Sequence, residues 1–184
     1  MRPYFSVIIP ARTIGSQLVD ETLPALETQT FQHFEVIIIP DSKSPRKKEL
    51  TKTYSFLKIL TLPNKKRPGD KRDFGAREAV GSVLVFIDDD VFPTSTWLEH
   101  AHQIFTKKVD VAALGGPGLL PPRANIWEQI IDGMLKTWIG SGRYTYRFAP
   151  QKEQFVDDYP SMNLMIRAQV FQRIGGFDNQ HWPG

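Results

Sequence analysis

Four short apolar runs punctuate the first half of the chain, at residues 5–9, 34–39, 57–62 and 83–87. Their β-branched content and short length predict strands buried on both faces rather than segments of helix. Helical patterns lie between them. Leu18, Leu23 and Leu26, with their polar neighbours, fit a first helix. Ser44-Pro45 reads as an N-cap followed by Pro at the first position of a second helix. Asp70, with Asp73 three residues on, caps a third that runs through Ala76 and Ala79 to Gly81. Alternation at this beat predicts an α/β fold, a mostly parallel sheet with helices on both faces. Ligands of such sheets bind outside the carboxyl ends of the strands. Here those ends are Pro10-Ala11-Arg12, Pro40-Asp41-Ser42 and Asp88-Asp89-Asp90, each carrying polar or charged residues.

The second half is less regular. A helix after Pro93 uses Trp97, Leu98, Ala101, Ile104 and Phe105 as its apolar face. Residues 111–114 read as a short strand that ends in Gly115-Gly116-Pro117, and Pro117, Pro121 and Pro122 mark a loop. The stripe of Trp127, Ile130, Ile131, Met134, Leu135 and Trp138 predicts a helix over 126–139. It reads as an ordinary core helix, with membrane contact as the alternative. A loop rich in Gly, Arg and Tyr then leads to Asp157-Asp158-Tyr159-Pro160, and a strand near 162–166 and a helix over 168–174 follow.

Length and composition narrow the picture. With 184 residues, 41% hydrophobic and 23% charged, the chain is one globular domain's worth and can close a core. It has no cysteine, which excludes a disulfide framework, a thiolate zinc site and a cysteine nucleophile. No apolar run approaches the roughly 20 residues that span a bilayer, and no signal peptide is visible, so a cytoplasmic address is expected. The net charge of +3 is too small to imply nucleic acid. Its distribution says more: residues 43–77 hold 12 Lys or Arg against Glu49, Asp70 and Asp73, a local balance of +9 that leaves −6 elsewhere. A basic flank beside an acidic remainder suits an anionic ligand with a metal on the acidic side, although solvated helix faces produce the same count.

Asp88-Asp89-Asp90 follows the most strand-like run. Three adjacent carboxylates repel one another, so a fold that keeps them together usually offers a cation. Alternation along an extended chain places Asp88 and Asp90 on one side, an arrangement suited to Mg²⁺ or Mn²⁺ completed by substrate phosphates. A solvated acidic turn is the plainer alternative. There is no G-x-G-x-x-G after the first strand and no G-x-x-x-x-G-K-[ST], which disfavours a dinucleotide Rossmann domain and a P-loop enzyme. A haloacid-dehalogenase-like phosphohydrolase also places D-x-D after an apolar strand. That motif continues differently at Phe92 and lies on the first strand, whereas here three strand-helix units precede it.

Taken in order, these segments resemble the family 2 glycosyltransferases, inverting nucleotide-sugar enzymes with the Rossmann-like GT-A fold. The similarity rests on Phe5-Ser6-Val7-Ile8-Ile9-Pro10, Gln29-Thr30, Pro40-Asp41-Ser42, Lys71-Arg72-Asp73-Phe74-Gly75 with Ala79-Val80-Gly81, and Phe86-Ile87-Asp88-Asp89-Asp90. It continues through Asn163-Leu164-Met165-Ile166-Arg167 and Phe171 to Gly175-Gly176-Phe177-Asp178. Two departures stand out. The family's P-x-x-N reads Pro10-Ala11-Arg12-Thr13, and its G-E-D, which holds the catalytic base, does not follow before Pro183-Gly184.

The resemblance implies a single GT-A domain over 1–184, incomplete at its C-terminus, with a nucleotide-binding half (1–92) and an acceptor-side half (93–184). It implies that Pro10, Ala11, Arg12, Asp41, Lys71, Arg72, Asp88 and Asp89 surround the nucleotide, and that Asp90, with Asp88, ligates Mn²⁺ or Mg²⁺. Asp41 also fits an Asx turn. Gly115, Gly116, Pro117 and Asn163 fall on the acceptor side, where the glycines would let an acceptor approach the backbone. Asp157 and Asp158 are weak candidates for the base and equally fit a loop-capping role. The implied donor is a nucleotide-sugar, a UDP-sugar first. The implied acceptor is a polysaccharide or lipid-linked glycan of the cell envelope, reached at the cytoplasmic face of the membrane with peripheral association. The implied reaction is glycosyl transfer with inversion, and this chain is expected to bind donor but transfer poorly for want of the base. The non-enzymatic alternative is a nucleotide-binding pseudoenzyme.

Overall fold

The computed structural model describes residues 2–64, 66–121 and 123–178. Strands β1 (Phe5–Pro10), β2 (Phe34–Ile39), β3 (Leu57–Ile59), β4 (Val83–Ile87), β5 (Ala113–Gly115) and β6 (Asn163–Arg167) form one sheet in the order β3-β2-β1-β4-β6-β5. The first four run parallel, and β6 lies antiparallel to both β4 and β5. Every residue of β1, β2 and β4 is buried, which is why these strands read as unbroken apolar runs.

Side-chain alternation along β1 splits the core into two layers. Val7 and Ile9 face a helix (α1, Leu23–Glu27, entered through a π-helical turn at Leu18–Thr22) and α4 (Trp97–Lys107). Ile8 faces α3 (Pro68–Glu78) and α7 (Ala168–Ile174) through Phe74 and Phe171. The expected doubly covered, mostly parallel sheet is therefore present.

Several local expectations shift. Helix α2 (Lys47–Thr53) starts after Ser44-Pro45, because Ser44 builds a turn in which its Oγ accepts from Arg46 N and its carbonyl from Lys47 N. Asp70 is the third residue of α3, not its cap; its carboxylate accepts from Arg67 N at 3.2 Å, closing the helix start one turn earlier. β3 stops at Ile59, and β5 begins at Ala113 instead of residue 111. The helix expected over 126–139 divides into α5 (Ile126–Leu135) and α6 (Trp138–Ser141), since Thr137 caps α6 by accepting from Gly140 N. Its core reading is overturned: neither helix has a buried residue, and Trp127 and Trp138 are 72% and 79% exposed. Amphipathic spacing records an apolar face, not what lies against it. Pro122, and the residues beyond 178 where the approach to the expected base was placed, lie outside the described residues.

A polar network is buried in the otherwise apolar sheet. Glu35 accepts from Ser6 Oγ at 2.6 Å, Lys58 Nζ at 2.7 Å and Val80 N at 2.9 Å, while Gly81 N donates to Ser6 Oγ. Burial pushes the Glu35 carboxyl up, but the Lys58, Ser6 and Val80 hydrogen bonds outweigh it and hold it below the ordinary 4.5. A carboxylate depressed on folding contributes stability above its unfolded value, and that stability is lost as pH falls through the folded value. Thermal unfolding is therefore expected to show a falling Tm below about pH 4.5. Glu35→Gln should lower Tm at neutral pH and flatten that acid limb; an unchanged limb would remove Glu35 as its source.

Candidate active site

Helix α3 delivers two cations to the carboxyl edge of the sheet. Its buried residues are Lys71, Arg72 and Gly75, which share a face through i, i+3 and i+4 spacing. Gly75 lets the helix lie directly on β1 and β2: an added Cβ would sit 2.6 Å from Ile8 Cγ2 and 3.0 Å from Ile39 Cδ1. One turn earlier, Lys71 and Arg72 reach the strand ends. Gly75→Ala is expected to cost about 1–3 kcal/mol through overpacking. Because the same helix carries both cations, it should also weaken nucleotide binding, measurable by chemical denaturation and by ligand-induced Tm shift.

Lys71 is almost fully buried, where its Nζ donates to Ala11 O at 2.5 Å and meets Asp41 Oδ1 at 2.5 Å. The Asp41 contact is an ion pair. Ala11 N donates to Ile39 O and Asp41 N to Arg12 O, so the loops after β1 and β2 are tied together with Lys71 beneath them. Pro10 and Ala11 are buried and form the floor of this edge, while Arg12 is exposed. Lys71, expected to face the nucleotide, lies buried beneath these loops and is paired with Asp41. A hollow of about 390 Å³ is lined by Lys43, Ser44, Pro45, Lys47, Lys48 and Thr61, which locates part of the basic flank at the start of α2.

Arg72 Nη2 donates to Asp88 Oδ1 at 2.6 Å, and the guanidinium lies 5.9 Å from the centre of the Phe177 ring. Burial lowers its pKa against the opposing pull of Asp88. Its Nε is buried without an acceptor among the described residues. β4 ends at Ile87 and the chain turns at 89–90, so strand alternation does not align Asp88 with Asp90. Burial, and to a lesser degree the Asp90 and Asp88 charges, push the Asp89 carboxyl up, while a backbone hydrogen bond and Lys71 pull the other way. Asp90 is exposed and carries no hydrogen bond or ion pair among the described residues. No three acidic or histidine side chains converge as a metal cage among those residues. The turn suits an ion such as Mg²⁺ or Mn²⁺, which takes one or two carboxylates and completes its shell from phosphates and water.

Two residues with modest sequence signals brace this region. Gln29 Nε2 donates to Thr94 O at 2.7 Å and its Oε1 accepts from Leu98 N, pinning the loop that follows the acidic turn. Asp73 Oδ1 accepts from Phe177 N at 3.0 Å, where Gly175 and Gly176 adopt φ of +89° and +93°. A Cβ on Gly176 would lie 2.7 Å from that oxygen. Asp73 thereby fixes the ring that packs on Phe86, Phe171 and Arg72. Its role depends on a partner 104 residues away and could not be read from local spacing.

At the glycines expected to face the acceptor, the open approach is corrected. The place of a Gly115 Cβ is taken by the Tyr159 ring, and that of Gly116 by Asn163 Nδ2. Asn163 Nδ2 donates to Gly116 O at 2.8 Å and its Oδ1 accepts from Trp97 Nε1 at 3.2 Å, so both ends serve the fold. Pro117 follows as part of the same half-buried stretch. Asp158 pairs with Arg147, and Asp157 lies 4.0 Å from Arg143. These pairs engage both aspartates with the loop bearing Arg143 and Arg147.

Comparison with known proteins agrees with this geometry. The model of glycosyl transferase family 2 matches residues 6–175, and the chain belongs to that family. It is 24% identical to glycosyltransferase AglE of Haloferax volcanii, covering 98% of this chain and 60% of that protein. It is 29% identical to the O-antigen chain rhamnosyltransferase WbaN of Salmonella anatum, covering 95% and 56%. Among solved structures, it superposes on S. aureus TarS 1-349 in complex with UDP-GlcNAc with a TM-score of 0.63 at 17% identity, covering 95% and 47%. For the mannosyltransferase PcManGT of Pyrobaculum calidifontis with GDP-Man and Mn²⁺, the TM-score is 0.67 at 16% identity, covering 98% and 49%. These likenesses establish the GT-A fold. The chain spans between about half and three fifths of the length of these proteins. No helix among the described residues is long and apolar enough to cross a membrane.

Proposed function

We propose that this chain carries the donor-binding part of an inverting glycosyltransferase that moves a sugar from a nucleoside diphosphate, a UDP-sugar first, to a glycan or lipid-linked acceptor. One observation carries the reading: the nine-tenths buried Arg72 guanidinium at the sheet's carboxyl edge, held by Asp88, with an Nε–H that finds no acceptor among the described residues. A buried donor without a partner is costly, and a phosphate oxygen satisfies it with a charge-assisted bond. Asp41, oriented by Lys71, accepts from the base or ribose, and Arg12 flanks it. Asp90 and the second oxygen of Asp88 hold Mn²⁺ or Mg²⁺. The ion, when bound, neutralises charge on the departing diphosphate.

Inversion requires a carboxylate opposite the leaving group to take the acceptor proton. Asp158 is engaged with Arg147, which favours a bracing role for it. Membership of the glycosyltransferase family, with D-x-D at the fourth strand, sets aside the phosphohydrolase reading. The test is a panel of UDP, GDP and dTDP in Mn²⁺ and in chelator, read by thermal shift. At least one should stabilise the chain more with metal. Stabilisation by none would overturn the reading, and binding without transfer by the whole protein would select the pseudoenzyme.

A further inference from the structure

A second hollow, of about 200 Å³, lies apart from the nucleotide residues, in the loop between α6 and β6. Its volume is below the roughly 300 Å³ at which drug-sized sites begin, so it holds one small ring. We propose that this cleft, walled by Arg143, Tyr144, Tyr146, Gln154, Phe155 and Asp157, is a carbohydrate subsite that takes one neutral pyranose of the acceptor. The inference rests on the glycosyltransferase reading above and names the chemical class of its acceptor.

The walls are cross-braced by their own contacts. Arg147 pairs with Asp158 and lies 4.2 Å from the centre of the Tyr144 ring. Tyr146 OH donates to Asp158 O at 3.0 Å, and Arg143 Nη2 donates to Tyr144 OH at 2.8 Å. Gln151 Nε2 donates to Thr145 Oγ1 and its Oε1 accepts from Gln154 Nε2, which leaves the Gln154 carbonyl oxygen facing no partner among the described residues. Such bracing lowers the ordering cost of binding.

Charge and polarity then select the ligand. Among the described residues, Arg143 and Asp157 are the only charged side chains of the lining and they balance, so the cleft favours a neutral ligand, in contrast to the hollow lined by Lys43, Lys47 and Lys48. Arg offers donors only, Asp acceptors only, and Gln both. Neighbouring sugar hydroxyls each donate and accept, and match that mixture. Phe155 is 96% exposed, an aromatic face in water at the rim. The apolar C–H face of a pyranose covers such a ring while its hydroxyls reach the polar wall.

Position agrees. Gly118 N donates to Arg147 O at 2.9 Å, and Tyr159 packs on Gly115, which ties the loop to the carboxyl end of β5. That end points the same way as the end of β4, since both strands are antiparallel to β6. The ends of β4 and β5 lie two strand spacings apart, about 10 Å. An acceptor chain anchored off β5 can thus direct its terminus toward the 88–90 turn.

The test uses methyl glycosides of glucose, galactose, mannose and rhamnose at millimolar concentration with the full chain, read by saturation-transfer NMR. At least one should receive saturation, UDP with Mn²⁺ should not displace it, and Phe155→Ala and Gln154→Ala should each reduce the signal severalfold. Both residues are exposed, and an unchanged Tm would show that the variants fold. Three results would overturn the proposal: no glycoside receives saturation, the signal survives both substitutions, or UDP displaces the sugar. Glycoside binding without any nucleotide-induced stabilisation would retain the cleft and reject the donor reading, so the two failures are separable.

Discussion

Replacing Asp90 with alanine is expected to leave the Tm of the free chain unchanged and to erase the Mn²⁺-dependent part of its stabilisation by UDP. Asp90 is exposed and carries no partner among the described residues, so its removal breaks nothing in the fold. At a nucleotide concentration of a hundred times Kd, binding contributes about 2.7 kcal/mol. For a domain of this size that corresponds to roughly 5–11 °C in Tm. Asp88→Ala should differ in kind. It strands the buried Arg72 guanidinium, so the Tm of the free chain should fall as well. Paired thermal scans of the two variants, with metal and with chelator, separate a ligand role from a structural one. Retention of the metal-dependent shift in Asp90→Ala would move the ion elsewhere.

Asp41→Ala is expected to be among the most destabilising single changes at the site. Lys71 Nζ would keep one carbonyl, from Ala11, and lose its ion-pair partner while almost fully buried, with Asp89 left as a weaker, more distant charge. Breaking a buried pair from one side typically costs about 3–5 kcal/mol, or roughly 6–20 °C in Tm. Asp41→Ala combined with Lys71→Met should recover most of that loss, because the uncompensated charge disappears with its partner. The double variant should still bind UDP weakly, since the nucleoside contact proposed for Asp41 goes with it. Denaturant titration of the three proteins checks the cycle, and equal stability of single and double variants would show that Lys71 reaches water without Asp41.

The sheet was legible in the sequence because β1, β2 and β4 are buried on both faces, and burial leaves an apolar record in each residue. Helix α3 was legible as an element, but its start was not, since Asp70 serves a capping box from inside the helix. The acidic turn was found by composition. Its electrostatics were not, because Arg72 reaches Asp88 from sixteen residues away and Lys71 reaches Ala11 from sixty. Local spacing cannot encode such pairings. The same limit explains the acceptor side. Gly115 and Gly116 signalled a close approach, and one occurs, but Tyr159 and Asn163 of this chain make it. Periodicity over 126–139 gave an apolar stripe correctly and its burial wrongly, for the stripe packs on no layer of the sheet.

That exposed stripe bears on solubility. α5 packs on α6, and α6 leads directly into the 142–147 arm that presents Tyr144 and Tyr146. With Trp127, Ile130, Ile131, Met134, Trp138 and Ile139 all turned to water, the helix pair leaves a contiguous apolar face beside that arm. Such a face favours self-association at high concentration, so a polar substitution at Trp127 or Trp138 should keep the chain monomeric where the unaltered chain clusters.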